Sequence, residues 1–154
     1  MRELIIAVGA SGAGKSYTFS HHFANTHVEV SADNYFMKGG EYVFDPSKLS
    51  EAHATCKKAC IKAMEKNRNV FVSNTSTKHW ERKDYIALAK EYNYTLLILV
   101  FPNLYGNIHG VPDDRVQAMQ ERIDLKPGAY AYSSFGEYIL IYTFDDYFNT
   151  LLPH

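Results

Sequence analysis

An α/β fold, with a parallel sheet of about five strands and helices on both faces, is what three features of this 154-residue chain predict. Short apolar runs alternate with longer helical stretches, the pattern of repeated strand–helix units. The first run, Leu4-Ile5-Ile6-Ala7-Val8, leads directly into a glycine loop and then a helix. The later runs end in polar, chemistry-bearing residues, and in open parallel sheets ligands bind at the carboxyl ends of the strands.

The glycine loop is Gly9-Ala10-Ser11-Gly12-Ala13-Gly14-Lys15-Ser16, which satisfies G-x-x-x-x-G-K-[ST] at every fixed position. Its three glycines let the backbone turn tightly and aim N–H groups inward as an anion nest. A helix that starts at Gly14 or Lys15 and reads clearly over Tyr17 to Asn25 adds the positive end of its dipole. Lys15 can reach the β- and γ-phosphates of a nucleotide, and the Ser16 hydroxyl can ligate Mg²⁺. This stretch predicts binding of ATP or another NTP.

Val28-Glu29-Val30-Ser31 reads as the second strand and runs into Ala32-Asp33-Asn34-Tyr35-Phe36. Lys38-Gly39-Gly40 marks a loop, and Asp45-Pro46-Ser47 a turn that starts a helix. That helix spans about Lys48 to Lys66, with Leu49, Ala52, Cys56, Ala59, Cys60 and Ala63 on its apolar face. Val70-Phe71-Val72-Ser73 is a third strand, stopping at Asn74-Thr75-Ser76-Thr77. A helix near Lys78–Tyr92 leads to Thr95–Phe101, the longest apolar run and a central strand. A loop over Pro102 to Pro112 precedes a helix reaching about Asp124, which Lys126-Pro127-Gly128 breaks. In the aromatic tail, Tyr138–Tyr142 reads as an edge strand and Asp145–Leu152 as a short closing helix.

The length suits one domain over residues 1–154, with a lid near 102–124 and an aromatic segment over 125–154. No apolar run approaches membrane-spanning length, and the amino-terminal strand feeds the loop rather than resembling a removable signal. Two cysteines, Cys56 and Cys60, lie one helical turn apart and are expected to be reduced, structural thiols of a cytoplasmic protein. The net charge of −1 excludes a globally basic nucleic-acid binder. Charge is uneven, however: residues 55–92 carry nine Lys/Arg against four Asp/Glu, so that stretch is either a solvated helix surface or a guide for a polyanion.

Asp33 is the leading candidate for the second half of the site. A carboxylate at that strand end can take a proton from an attacking hydroxyl or hold Mg²⁺ through water, and capping is its plainer role. Asn74 and Thr75 stand where many nucleotide-binding loops are partnered by an acid; they can orient a metal's water shell or a substrate phosphate, or simply cap the strand. Trp80 reads as a core anchor, with base stacking open to it only if exposed. His53 could face the crevice near the acceptor, with packing its favoured role, and Lys58, Lys62 and Lys66 read as a solvated stripe.

The blocks G-A-S-G-A-G-K-S, S-A-D-N-Y-F, S-N-T-S and H-G-V-P-D-D-R-V-Q-A-M-Q-E-R, in that order over residues 1–124, resemble the kinase domain of phage-type polynucleotide 5′-kinases and related small P-loop ATPases. The resemblance implies a P-loop kinase fold, with Lys15 and Ser16 in the phosphate and Mg²⁺ roles. Asp33 becomes the general base for a 5′-hydroxyl. Asn107, His109, Gly110, Val111 and Pro112 fall in a lid over ATP, with Arg122 in the helix behind it. The implied nucleotide side comprises Gly9, Ser11, Gly12, Ala13, Gly14, Lys15, Ser16, Tyr17 and Arg115. The acceptor side comprises Asp33, Tyr35, Asn74, Thr75 and His109, and the catalytic set is Lys15, Asp33 and Arg122. Three positions depart from the family pattern: Phe36 replaces an arginine, Asn74 replaces an acid, and the lid is poor in arginine.

The resulting expectation is an ATP-dependent kinase acting on the 5′-hydroxyl of a nucleic acid or nucleotide. A kinase for a nucleoside, modified base or small metabolite, and a nucleotide-binding switch without transfer, are the alternatives. Oligomeric state is not legible.

Overall fold

The computed structural model describes residues 2–101, 104, 112–123, 130–132 and 138–143. The first apolar run forms β1 (Glu3–Val8), whose residues from Leu4 onward are fully buried. A strand buried on both faces needs cover on both, and its alternating side chains divide between two apolar clusters. Leu4, Ile6 and Val8 join one; Ile5 and Ala7 join the other.

The strands that follow are β2 (His27–Val30), the short β3 (Met37–Lys38) and β4 (Glu41–Tyr42), then β5 (Asn69–Val72), β6 (Thr95–Val100), β7 (Tyr130–Tyr132) and β8 (Tyr138–Thr143). The helices are α1 (Lys15–Thr18), α2 (Leu49–Glu65), α3 (His79–Glu91) and α4 (Asp113–Glu121). The main sheet has the order β2-β5-β1-β6-β8-β7, with the first five strands parallel and β7 antiparallel. The predicted five-stranded parallel sheet is therefore present, with one strand added. Tyr138–Tyr142 is not an edge as expected: β8 lies inside the sheet because β7 pairs along its outer side. Three residues are too few to show a strand period, so β7 left no trace in the sequence pattern.

Helices α2 and α3 cover one face through Ala52, Cys56, Cys60, Ile86 and Leu88. On the other face α1 continues into a π-helical stretch, Phe19–Phe23, whose Phe19 and Phe23 rings pack on Phe71 at 5.5 and 5.3 Å. Both faces are covered, as predicted. The first helix begins at Lys15, as expected, and α4 ends at Glu121 rather than about Asp124.

Asp45 accepts a hydrogen bond from the Ser47 amide at 3.0 Å and starts the turn into α2, as its sequence signal predicts. The apolar stripe of α2 is narrower than expected, since Leu49 and Ala59 are exposed. Lys38-Gly39-Gly40 is more than a loop: Gly39 and Gly40, at φ of 59° and 83°, close the β3–β4 hairpin in a two-residue turn that needs positive φ. Cys56 and Cys60 are free and buried, and burial pushes the Cys60 thiol up to about 12, as suits inert structural thiols. Among the described residues no helix is long and apolar enough to cross a membrane. The Lys126-Pro127-Gly128 break and the Asp145–Leu152 helix lie outside them.

Candidate functional site

The strand–loop–helix unit places the glycine loop at the carboxyl end of β1, between its parallel neighbours β5 and β6. Gly14 caps α1 at φ 91°, a conformation that side chains resist. Gly9 is held by space: a Cβ there would lie 3.0 Å from both the Ala13 Cβ and the Phe101 carbonyl oxygen. Its amide donates to the Thr75 carbonyl at 3.0 Å.

Lys15 is only 7% exposed, and its ammonium donates to the Gly9 and Ala10 carbonyls at 2.5 and 2.8 Å. Burial pulls its pKa down to about 8, against the opposing pull of Asp33 and then Glu29. Ser16 Oγ donates to Glu29 Oε2 at 3.0 Å. The buried Ser11 hydroxyl, in the same loop, has no hydrogen-bond partner among the described residues. An orphaned hydroxyl beside a lysine ammonium and a helix start fits a phosphate group. Among the described residues no three His, Cys, Asp or Glu side chains gather to cage a metal. The oxygen pair Ser16–Glu29 nevertheless fits Mg²⁺, which uses few protein ligands and completes its shell with water and phosphate.

Asp33 projects from the turn after β2. Ser31 caps the 3₁₀ helix Ala32–Phe36 by accepting from the Asp33 amide at 3.2 Å. Tyr42, carried by the hairpin, donates its hydroxyl to Asp33 Oδ1 at 3.3 Å. Burial, and then the Asp33 charge, push the Tyr42 phenol up to about 12, so it stays a donor. Asn74 braces this corner: its Oδ1 accepts from the Ala32 amide at 2.8 Å, and its Nδ2 points at Cys56 Sγ, 3.5 Å away.

The start of α3 forms a second brace. Glu81 Oε2 accepts from the Thr75 hydroxyl at 3.3 Å and from the Thr77 amide at 3.1 Å. Arg122, just past α4, donates through Nε to Thr77 Oγ1 and pairs through Nη2 with Glu81 Oε1, each at 2.8 Å. Gln120 ties α4 to the loop: its Oε1 accepts from the Ala10 amide at 2.8 Å and its Nε2 donates to the Phe101 carbonyl at 2.5 Å.

These elements enclose a cleft of about 920 Å³. It brings together Ser11, Lys15, Asp33, Asn74, Thr75, Arg115 and Arg122 from the sequence-predicted set. Tyr17 and Tyr35 are not among its lining residues. Tyr17 is exposed and stacks on His21 at 3.9 Å, while Tyr35 donates to Glu51 Oε2 at 2.5 Å. His109, with Asn107, Gly110 and Val111, lies outside the described residues.

Two expectations are overturned. Trp80 is no core anchor: it is 67% exposed and lines the cleft, because the apolar face of α3 is supplied by Tyr85, Ile86, Leu88 and Ala89. His53 is not packed inside but exposed on the cleft wall. Sequence reasoning also missed Glu29, Tyr42, Glu81 and Gln120. Only Glu29 left a signal, as an acid set between two valines in a strand near the loop.

The family described as AAA domain matches residues 4–103. Human (Homo sapiens) NEDD4-binding protein 2 is 30% identical over 131 residues, 77% of this chain but 7% of that protein's length. Among solved structures, a chain of the Pnkp1/Rnl/Hen1 RNA repair complex superposes with a TM-score of 0.62 at 18% identity, covering 86% of this chain and 52% of that one. Kti12 from Chaetomium thermophilum, in complex with ADP-AlF3, gives 0.59 at 11% identity, covering 93% and 90%. The chain spans about half of the RNA repair chain and a small part of the human protein. Backed by a profile match over most of its sheet, this chain belongs to the AAA-domain family and has the fold of a P-loop kinase.

Proposed function

We propose that the protein is an ATP-dependent phosphotransferase that moves the γ-phosphoryl group to the 5′-hydroxyl of a polynucleotide or nucleotide. The observation that carries this reading is that Lys15 and Asp33 line one cleft, close enough for the Asp33 charge to act on the Lys15 ammonium. A cation for the donor phosphates and a carboxylate for the acceptor proton are the two groups that in-line transfer requires.

In the reaction the acceptor oxygen attacks the γ-phosphorus while Asp33 takes the hydroxyl proton, and ADP leaves with the bonding pair. The Tyr42 hydroxyl, donating to Asp33 Oδ1, holds the carboxylate in place. Lys15 leaves the Gly9 and Ala10 carbonyls for the phosphates, and Ser11 gains the partner it lacks. Ser16 and Glu29 are the residues that would hold Mg²⁺, whose chemistry is to neutralise phosphate charge. Arg115 lines the cleft without a carboxylate partner among the described residues, so it can meet phosphate more freely than the braced Arg122. Similarity to a chain of an RNA repair complex is in keeping with a nucleic-acid acceptor.

A small acceptor is the second reading. It is favoured by Phe36, which lines the cleft with an uncharged, 2% exposed ring where the resembled family has an arginine.

Labelled ATP incubated with a 5′-hydroxyl oligonucleotide, a nucleoside 3′-phosphate and free nucleosides separates the readings. The expected result is label on the oligonucleotide, and loss of at least about 100-fold in rate for Asp33→Ala. Full activity of that variant would remove Asp33 from the mechanism. Nucleotide binding without transfer to any acceptor would leave a switch.

A further inference from the structure

We infer that Trp80 is the stacking platform for a nucleobase of the acceptor, held at the mouth of the cleft that contains Asp33. The kinase reading supplies the name of the acceptor; the platform itself stands on the surface described below.

Trp80 is the chain's single tryptophan and shows 67% of its surface. Burying a ring that size is worth more than burying almost any other side chain, so leaving it in water forgoes stability. Among the described residues no other ring packs against it. It sits in the first turn of α3, two residues before Arg82, whose buried guanidinium donates to the Ser76 carbonyl at 2.8 Å. Glu81, next to it, is fixed by Thr75, Thr77 and Arg122. The ring is thus mounted on a braced turn and presented to the cleft.

The cleft also carries Phe44, about half exposed, with its ring nearly parallel to Tyr42 at 6.4 Å and edge-on to Phe36 at 5.0 Å. Aromatic surface in this position serves any base, since every base has a π-face. Charge distinguishes a nucleic acid from a merely apolar guest. Lys83 and Arg115 line the same cleft and have no carboxylate partner among the described residues, so two cations are free for phosphodiester groups. A stacked base with flanking cations, continuous with the carboxylate that faces the hydroxyl, describes a strand end bearing a base.

Because Trp80 is the only tryptophan, intrinsic fluorescence reports directly on its face. The probes are a short single-stranded 5′-hydroxyl oligoadenylate and an oligomer of the same backbone that is abasic at its 5′-terminal positions. The base-bearing oligomer is expected to quench the emission and the abasic one to leave it nearly unchanged. Trp80→Leu should weaken oligonucleotide binding about 5- to 150-fold, with the kinetic effect falling on KM rather than kcat, and Trp80→Phe should restore part of it. Equal quenching by the two oligomers, or Trp80→Leu binding the oligoadenylate as tightly as the parent, would overturn the platform. Base-dependent quenching without phosphoryl transfer would sink the kinase reading and leave the platform. Transfer without base dependence would do the reverse.

Discussion

Lys15 is the most constrained residue of the site. Its charge is held out of water, so the folded protein binds its proton less tightly than the unfolded chain, with a pKa of about 8 against the ordinary 10.5. The unfolded state therefore carries more protons between those values, and the contribution of Lys15 to stability rises as pH climbs from about 8 toward 10.5. Below 8 the cost of the buried charge is fully present. Lys15→Met is expected to raise the urea midpoint at pH 7 and to abolish nucleotide binding, read by denaturation and by calorimetry. It should also flatten the rise in stability above pH 8.

Glu29 belongs to the same scale. Its carboxylate beside Ser16 repels phosphate when no divalent cation is present. Glu29→Gln should tighten ADP binding in EDTA and shrink the gain from added Mg²⁺, measured by isothermal titration in both buffers. Glu29 escaped the sequence reading because an acid within a strand is ordinarily a solvated side chain. Lys15 and Asp33 were legible because a loop motif and a strand end fix their places in space.

At the scale of elements, Gln120 ties α4 to the loop. Gln120 satisfies both the Ala10 amide and the Phe101 carbonyl, two partly buried groups. Gln120→Ala leaves both without it and should destabilise the fold by about 1–3 kcal/mol, with α4 amides exchanging faster than those of α2. The Arg122–Glu81 pair is partly exposed, so its charges alone add little, and its value lies in the geometry it imposes on Thr77. Helix α2 was legible from its apolar spacing. The hairpin that carries Tyr42 was not, because two-residue strands have no period to detect and Gly-Gly alone does not distinguish a turn from a loop. Trp80 was misplaced for a related reason: hydrophobicity predicts burial only when the helix face is known.

Across the whole molecule, stability rests on a sheet clad on both sides, and Phe71 is the pivot of the thinner side. It is wholly buried and touches both Phe19 and Phe23, so Phe71→Ala should cost about 3–5 kcal/mol in chemical denaturation. The sheet order required pairing information that one sequence lacks. Alternation of strands and helices implied parallel pairing, yet only the register of β8 on β6 and of β7 on β8 shows which strand is outermost.

One detail of the loop reaches further than its size. Residues Gly9 and Ala10 have their amides committed to Thr75 and Gln120 and their carbonyls to Lys15, so the heel of the loop is saturated by the protein itself. A guest recruits the lysine only by outbidding two carbonyls already in place. Sulfate or a lone phosphate brings little more than that, whereas a chain of three phosphoryl groups meets more of the loop at once, so sulfate is expected to compete poorly with ATP in calorimetric titration.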